Sequence, residues 1–248
     1  METDQLKLFD EARSHSVPDA TDWQVRVSSR ARSLKIQVYP HGAVEIVAPK
    51  RAKSADIQAF VEEHHDWIIK TRSKFSKLRP PEPPLPASID LRGIGEVAKI
   101  HYRKGAQPHL ADNNGLLTLT APDPEPAAYW PLLQKWLKQM GRQHLVSLAK
   151  EIGHEIGLYP ERVHIRLQRT RWGSCSSNGT ISLNSAMLLR SPAEMRYVIV
   201  HELCHLKHMN HSQRYWNLVE KHVPGYRAIE RNLDGAWQTS PLWLISKV

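Results

Sequence analysis

The chain has 248 residues and a formal net charge of +9, with 34 lysines and arginines against 25 aspartates and glutamates. This length is sufficient for one large domain or two small ones with a substantial apolar core. No apolar run reaches the roughly 18 residues that a membrane-spanning helix needs, so the sequence excludes such a helix. The positive charge could favour nucleic acid or another acidic partner, or could form an ordinary solvated surface, because the basic residues are spread along the chain.

The beginning of the chain indicates a cytoplasmic protein. Residues 1–21 are polar and lack the apolar segment of a signal peptide, so we predict a loose tail there. The chain has two cysteines, Cys175 and Cys204, which do not amount to a disulfide framework. In a reducing compartment they would remain thiols.

Residues 22–121 carry the alternation of apolar and polar residues that is typical of strands. Two such stretches around a Pro-His-Gly turn predict an antiparallel hairpin that ends at Pro49. Ser54 can cap a helix that runs to about Ser76. Further strands are predicted at 88–91, 96–102 and 116–120, and the Asn-Gly step at 114–115 predicts a hairpin turn. We therefore expect a mostly β region with one helix.

Residues 80–86 contain five prolines, which exclude a helix and favour an extended polyproline conformation. We interpret this segment as a linker or a strap on the surface, with a ligand for a proline-recognising domain as the alternative. After it, a long helix is predicted from about Glu125 to Ile156. We therefore predict a second domain over 122–248, either separate from residues 22–121 or continuous with them.

The segment that carries chemistry has the sequence H-E-x-x-H at His201, Glu202 and His205. Two histidines four residues apart on a helix lie on the same face, so both can offer a ring nitrogen to one metal ion. In this motif the glutamate is not a ligand, and it holds and deprotonates the water that zinc activates. The spacing therefore predicts a zinc site with its own general base.

The helix that carries this motif has its own start signals. The sequence SPAE at 191–194 supplies an N-cap serine, a proline at the first helical position and a glutamate that can complete a capping box. The motif would then lie in the interior of the helix. His211 follows the second motif histidine by six positions, and it would complete three protein ligands plus one water, as in a catalytic zinc site. His208 and Glu230 are the alternatives for the third ligand.

A second candidate region, RTRWGSCSSNGTISLN at 169–184, is a loop of small residues followed by a strand. A peptide substrate commonly binds to zinc peptidases as an added strand at a sheet edge near the metal. The residues predicted to offer that edge are Thr180, Ile181, Ser182 and Leu183.

Other residues near these motifs have competing interpretations. Arg171 could stabilise the oxyanion of a tetrahedral intermediate, or it could form a structural ion pair. Cys175 beside Ser174 could be a thiol nucleophile, but no partner base is evident for it. Cys204 points away from the two motif histidines on a helix, so we predict a small buried side chain and not a ligand.

Together, RTRWGSC…ISLN and YVIVHELCHLKHMNHSQRYW resemble the YgjP-like family of zinc metallopeptidases, and more distantly the SprT-like proteases. The resemblance is dense from about Trp136 to Leu233. It implies a zincin-like fold, with His201, His205 and His211 as zinc ligands and Glu202 as general base. The SprT-like similarity and the net charge suggest one alternative, a nucleic-acid-associated protease or adaptor. A non-catalytic scaffold stabilised by zinc is the other alternative.

The sequence thus predicts an α+β protein, with a zincin-like metallopeptidase domain and an N-terminal, mostly β region. The expected cofactor is Zn²⁺ and the expected partner is a peptide or protein substrate. Water activated by zinc would attack the peptide carbonyl, with Glu202 as the base that passes the proton to the leaving amine.

Overall fold

The computed structural model describes residues 23–39, 42–78, 85–123, 125–237 and 239–245. The tail predicted for residues 1–21 lies outside the described residues, as do residues 80–84 of the proline-rich segment. The chain divides inside that segment into two compact units, Met1–Pro81 and Glu82–Val248. The architecture is α+β, as the sequence predicts.

The N-terminal unit combines a three-stranded sheet with two helices. Its elements are β1 (Trp23–Ser28), β2 (Lys35–Val38), β3 (Val44–Pro49), α1 (Ser54–Glu63) and α2 (His65–Leu78). The predicted antiparallel pairing is found between β2 and β3, whereas β1 runs parallel to β3 on its other side. The single helix predicted from Ser54 is two helices, because the chain turns at His64, whose Nδ1 bonds the Phe60 carbonyl at 2.9 Å.

A small apolar core holds the N-terminal unit together. Its buried members are contributed by β3 and by both helices: Val44, Ile46, Ala48, Ile57, Val61 and Ile68. These side chains are therefore structural.

The C-terminal unit holds two sheets and five α-helices within the described residues. The first sheet is formed by β4 (Ser88–Leu91), β5 (Glu96–Lys104), β6 (His109–Asn113) and β7 (Leu116–Ala121), in the order β4-β5-β7-β6. The predicted turn between β6 and β7 is confirmed, with Asn114 at φ 51° and Gly115 at φ 83°. Positive φ at both positions is what a two-residue hairpin turn requires.

A second sheet carries residues of the RTRWGSC…ISLN region. It is formed by β8 (Arg162–Arg166), β9 (Gly173–Cys175) and β10 (Thr180–Asn184), in the order β8-β10-β9. β10 pairs with β8 in parallel and with β9 in antiparallel orientation. The prediction that residues 180–183 offer the sheet edge is therefore wrong, because their main chain is already paired on both sides. The edge beside β10 belongs to β9.

A 31-residue helix, α3 (Pro126–Ile156), joins the two sheets into one core. It packs against β7 and β8, and also against α4 (Pro192–Cys204) and α7 (Leu242–Ile245). Gly141 permits a close approach to β8 and to Ser185, because a Cβ there would lie 2.9 Å from side-chain atoms of Ile165 and Ser185. The strands before residue 122 thus share a core with the helix that carries the H-E-x-x-H motif.

The remaining elements of this unit follow the second sheet and surround the motif helix. A 3-10 helix (Ser185–Leu189) leads into α4, and α5 (Gln213–His222) and α6 (Tyr226–Asp234) come after it. Both α5 and α6 contact α4. Among the described residues, no helix combines the length and the apolar character that crossing a membrane requires.

Candidate active site

The motif helix α4 starts at the predicted capping box. Ser191 Oγ accepts a hydrogen bond from the Glu194 amide at 3.3 Å, and the Glu194 carboxylate accepts one from the Ser191 amide at 2.8 Å. The helix ends at Cys204, so His205 is its C-cap residue and not an interior residue as predicted. Its φ of −63° and ψ of −20° remain helical. His205 therefore keeps the four-residue spacing that places it beside His201.

Three histidine side chains converge beyond the end of α4. The ring nitrogens that His201, His205 and His211 can offer all lie within 4.8 Å of one another. The Nε2 atoms of His201 and His211 are 3.3 Å apart. Two nitrogens at about 2.0–2.1 Å from one tetrahedral zinc ion lie roughly 3.3–3.4 Å apart by simple geometry. The separation of these two nitrogens thus fits one small ion.

His208 and Glu230, the other two candidates for the third ligand, contact the motif histidines through hydrogen bonds, directly or through Tyr197. The carbonyl of His208 accepts a hydrogen bond from His205 Nδ1 at 3.0 Å. The Glu230 carboxylate accepts one from the Tyr197 hydroxyl at 3.1 Å, and that hydroxyl lies 3.5 Å from His201 Nδ1. Each contact engages the Nδ1 side of a ring and leaves Nε2 for a metal ion. Within the described part of the chain, neither residue joins the convergent group of potential ligands.

Aromatic side chains from α5 enclose the histidines. The Tyr215 ring stacks on His205 at 4.5 Å between centroids, and the Trp216 ring stacks on His211 at 5.2 Å. The Tyr215 hydroxyl donates to the main-chain carbonyl of His201 at 3.0 Å. Sequence reasoning missed these two residues, although their position just after His211 was a usable signal. They restrict the motion of two imidazole rings.

Burial sets the protonation state of the histidines. The pKa of His201 is lowered to about 3, first by burial and then by the neighbouring His205 and His211. Burial also lowers the pKa of His205, against the opposing effect of its hydrogen bond to the His208 carbonyl. Neutral imidazoles are the form that binds metal ions. The two motif histidines are therefore ready to act as ligands at neutral pH.

Glu202 lies between α4 and the second sheet, with 5% of its surface exposed. Burial raises its pKa to about 8, and the nearby positive charge of Arg171 partly opposes that rise. On β9, Gly173 lies directly against this carboxylate, because a Cβ there would be 2.5 Å from Glu202 Oε1. The fold thus brings the motif glutamate together with Arg171 and with the edge strand.

Asn184, at the end of β10, holds the loop that carries Arg171. Its Nδ2 donates to the carbonyls of Gln168 and Arg171 at 2.8 and 2.9 Å, and its Oδ1 accepts from the Ala186 amide at 3.1 Å. The side chain is fully buried. Sequence reasoning did not assign a role to this residue. Its only sequence signal was a polar residue directly after an apolar strand.

The two cysteines do not supply a nucleophile. The pKa of the Cys175 thiol is raised to about 11 by burial and then by the charge of Glu202. A thiol with this pKa is protonated at neutral pH and is a weak nucleophile. Cys204 is fully buried in the core, which confirms the prediction of a small buried side chain.

Comparison with known proteins identifies the family. A model of the YgjP-like metallopeptidase domain matches residues 32–236. The metallopeptidase zymogen abylysin of Pyrococcus abyssi is 33% identical, and the match covers 40% of this chain and 98% of that chain with a TM-score of 0.33. The zymogen jannalysin of Methanocaldococcus jannaschii is 21% identical, with 36% and 93% of the chains covered and a TM-score of 0.33. A search of curated proteins finds no match.

The family model spans most of the chain and includes the whole convergent site. It confirms the predicted resemblance and the predicted peptidase activity. The family also implies a metal ion and peptide or protein substrates. The chain belongs to the YgjP-like metallopeptidase family, and it is a hydrolase that acts on peptide bonds.

Proposed function

We propose that this metallopeptidase uses zinc, held by His201, His205 and His211, with Glu202 as the general base. The observation that carries the proposal is the convergence of three imidazole nitrogens within 4.8 Å, next to a buried carboxylate. Three neutral nitrogen ligands suit zinc and leave a coordination position open, as catalytic zinc sites do. The contacts of Tyr197 and of the His208 carbonyl supply the outer support that such ligands usually have.

When bound, a zinc ion lowers the pKa of water toward 7 and polarises the substrate carbonyl. Glu202 would take the proton of the attacking water as the water oxygen bonds to the carbonyl carbon. It would then deliver that proton to the amide nitrogen as the C–N bond breaks. In the metal-free chain, burial raises the pKa of this carboxylate, so it binds a proton more readily than an exposed glutamate does.

Arg171 is our candidate for stabilising the oxyanion. Its positive charge already acts on Glu202, and its loop is anchored by the hydrogen bonds of Asn184. A fixed guanidinium can donate to the negative oxygen that develops on the substrate carbonyl. A purely structural role would leave the rate of hydrolysis unaffected when Arg171 is replaced by lysine or glutamine.

The substrate would bind along β9, and not along residues 180–183. β9 is the edge of its sheet, and Gly173 on this strand contacts Glu202. An extended peptide can add to such an edge through main-chain hydrogen bonds, which accept many sequences. This arrangement would bring the peptide bond close to the general base.

We also infer that the protein works in the cytoplasm. Both cysteines are free thiols in the structure, one half-buried and one buried. Free thiols are usual in reducing compartments. Localisation of a tagged full-length chain by fractionation would test this inference.

The central experiment compares the wild type with Glu202→Gln and Glu151→Gln, where Glu151 is an exposed carboxylate on α3. Bound metal is measured by mass spectrometry, and hydrolysis is measured on a mixture of quenched fluorescent peptides. We expect stoichiometric zinc in all three proteins and a loss of hydrolysis of at least 100-fold in Glu202→Gln alone. Undiminished hydrolysis by Glu202→Gln would exclude this residue as the base, and a different native metal would exclude zinc.

A further inference from the structure

A basic cleft of about 540 Å³ opens on the second sheet. We define this basic cleft by its lining residues, which are Arg162, His164, Arg166, Gln168, Arg171, Ser174, Cys175, Ser176, Asn178, Thr180 and Ser182. Three arginines and a histidine line it, and none of the lining residues is acidic. Nothing in the catalytic proposal uses the charge of Arg162 or Arg166.

The cleft follows from the register of the strands. Arg162, His164 and Arg166 alternate along β8, so they share one face of the sheet. His164 is in register with Ser182 on β10, and Ser182 is in register with Ser174 on β9. The basic side chains of β8 therefore stand beside a floor of small hydroxyl side chains. Because these side chains are small, the floor leaves space for the side chains of a ligand bound at the β9 edge.

The arginines of the cleft are available for a ligand. Arg162, Arg166 and Arg171 are all exposed. Within the described residues, none of them forms a salt bridge with a carboxylate. Arg166 Nε donates to Ser182 Oγ at 3.3 Å, which orients its guanidinium over the floor. Uncompensated arginines that converge on one cleft match an anionic group, because their planar forks bind carboxylates through two parallel hydrogen bonds.

The cleft and the Glu202 carboxylate lie on opposite faces of the second sheet, and strand β9 borders both. On β9, Ser174 faces the cleft while Gly173 lies against Glu202. Side chains of an extended peptide alternate between the two faces of a sheet. Every second side chain of a peptide bound along β9 would therefore project over the basic cleft.

We propose that the basic cleft selects peptide substrates with aspartate or glutamate at alternate positions beside the cleaved bond. This inference rests on the proposed binding of substrate along β9. Nucleic acid would also match the positive charge, but the cleft contains no Phe, Tyr or Trp side chain on which bases could stack. The peptide is the ligand that agrees with the family's activity.

Binding is tested first with Glu202→Gln, so that no probe is hydrolysed. The probes are a fluorescein-labelled peptide of about twelve residues with alternating Ala and Glu, its Ala/Gln counterpart, and an oligothymidylate of similar length. Binding is followed by fluorescence anisotropy at low and at physiological salt. We expect the Ala/Glu peptide to bind about 10-fold more tightly than the Ala/Gln peptide, with a smaller difference at higher salt.

A charge-matched pair of variants locates the effect. In the Glu202→Gln background, Arg162→Gln/Arg166→Gln removes two charges from the cleft, and Arg103→Gln/Arg142→Gln removes two exposed charges outside it. We expect the first pair to abolish the preference for glutamate and the second pair to preserve it. Equal affinity for both peptides, or equal losses in both variants, would overturn the proposal. Preferential binding of the oligothymidylate through the same arginines would also overturn it, in favour of a nucleic-acid surface.

Hydrolysis then separates this inference from the proposed function. Two quenched peptide libraries are fixed as Glu or as Gln at alternate positions and are otherwise random. With an intact Glu202, we expect the Glu library to be cleaved about 10-fold faster, mainly through a lower KM, and this advantage to vanish in Arg162→Gln/Arg166→Gln. Equal cleavage of both libraries contradicts the acidic preference but leaves the catalytic proposal intact. Failure to cleave either library contradicts the catalytic proposal, and the binding preference is still decided by anisotropy.

Discussion

The two faces of the β8-β10-β9 sheet carry opposite chemistry on very short strands. The face toward α4 presents Ile181 and Leu183, both fully buried, and the glycine that contacts Glu202. The opposite face presents Ser182 and the arginines of the basic cleft. Adjacent residues of one strand thus face the dry interior beside Glu202 and a charged surface. A shift of register by one residue would exchange the two environments.

This comparison shows how one small sheet could serve both proposed functions. The dry face raises the pKa of a carboxylate, because burial disfavours its charged form. The opposite face presents exposed arginines. A substrate strand on the β9 edge would contact both faces at once, with its peptide bond near Glu202 and its side chains near the arginines. The following predictions, ordered by the size of the expected effect, test whether the faces differ in this way.

The largest effect is expected from the pH dependence of stability in the metal-free protein. The pKa of Glu202 is about 8 in the folded chain and roughly 4.3 in an unfolded one. Between these values the folded state holds a proton on Glu202 that the unfolded state has lost, so the contribution of Glu202 to stability falls as pH rises. Glu202→Gln removes this dependence. We expect its stability advantage to grow by up to about 1.4 kcal/mol per pH unit from pH 5 to pH 8.

Chemical denaturation of chelator-treated protein at pH 5, 6.5 and 8 measures this difference. Glu151→Gln is the matched control, because its carboxylate is exposed on α3. It should differ from the wild type by less than about 0.5 kcal/mol at each pH. An advantage of Glu202→Gln that stays constant with pH would show that the carboxylate is not in a dry environment.

The second prediction compares neighbouring residues of β10. Leu183→Ala should lower the free energy of unfolding by about 2–5 kcal/mol, because it opens a cavity in the main core. Ser182→Ala should lower it by less than about 1 kcal/mol, since it removes one hydrogen bond from an exposed arginine. Denaturant titration of both variants measures the contrast. Similar losses would mean that Leu183 contributes no more to the apolar core than Ser182 does, contrary to its packing in the core cluster.

Local signals explain which parts of the fold the sequence predicts. The capping box at Ser191 and the Asn-Gly turn at 114–115 both act within a few residues, and both are found where the sequence places them. Strand partners are set by contacts between distant segments. The pattern of β10 indicates one apolar face, and a central strand shows the same pattern as an edge strand. For this reason its position was predicted wrongly.

The candidate site likewise combines residues that the sequence brings together and contacts that the sequence does not predict. His201, Glu202 and His205 are found together because a helix fixes their spacing, and His211 joins them after a short turn. The contacts of Gly173 with Glu202 and of Asn184 with the Arg171 loop join segments that are far apart in the chain. No periodicity or motif spacing reports such contacts. They become visible only when the sheet and the helix are packed together.

The third prediction uses one of these contacts. In Gly173→Ala, the new Cβ would lie 2.5 Å from Glu202 Oε1 and 2.6 Å from its Cγ, so the carboxylate must move. A general base displaced by about 1 Å can lose roughly 100-fold in rate, which corresponds to about 2.7 kcal/mol in the barrier. We expect kcat/KM for peptide hydrolysis to fall at least that far, while zinc content is retained.

Gly235→Ala is the control for this substitution, because a Cβ at Gly235 meets no atom within 4 Å. It should retain wild-type kcat/KM. If Gly173→Ala retained more than half of the wild-type activity, the contact between β9 and the base would have no catalytic importance. The packing of β9 against Glu202 would then contribute to stability alone.

The smallest effect is expected from Tyr197→Phe, which removes a hydroxyl that contacts the proposed zinc ligand His201. The substitution removes the hydroxyl that lies between His201 Nδ1 and Glu230. Without it, the imidazole loses orientation and basicity, and we expect zinc affinity to fall by about 10-fold. Competition with a chromophoric chelator measures the affinity.

Tyr226→Phe is the matched control, because the Tyr226 ring stacks on Tyr197 at 5.9 Å between centroids, and it should keep wild-type zinc affinity. Equal zinc affinities in both variants would show that the Tyr197 hydroxyl does not support His201, and that ring packing alone orients this histidine.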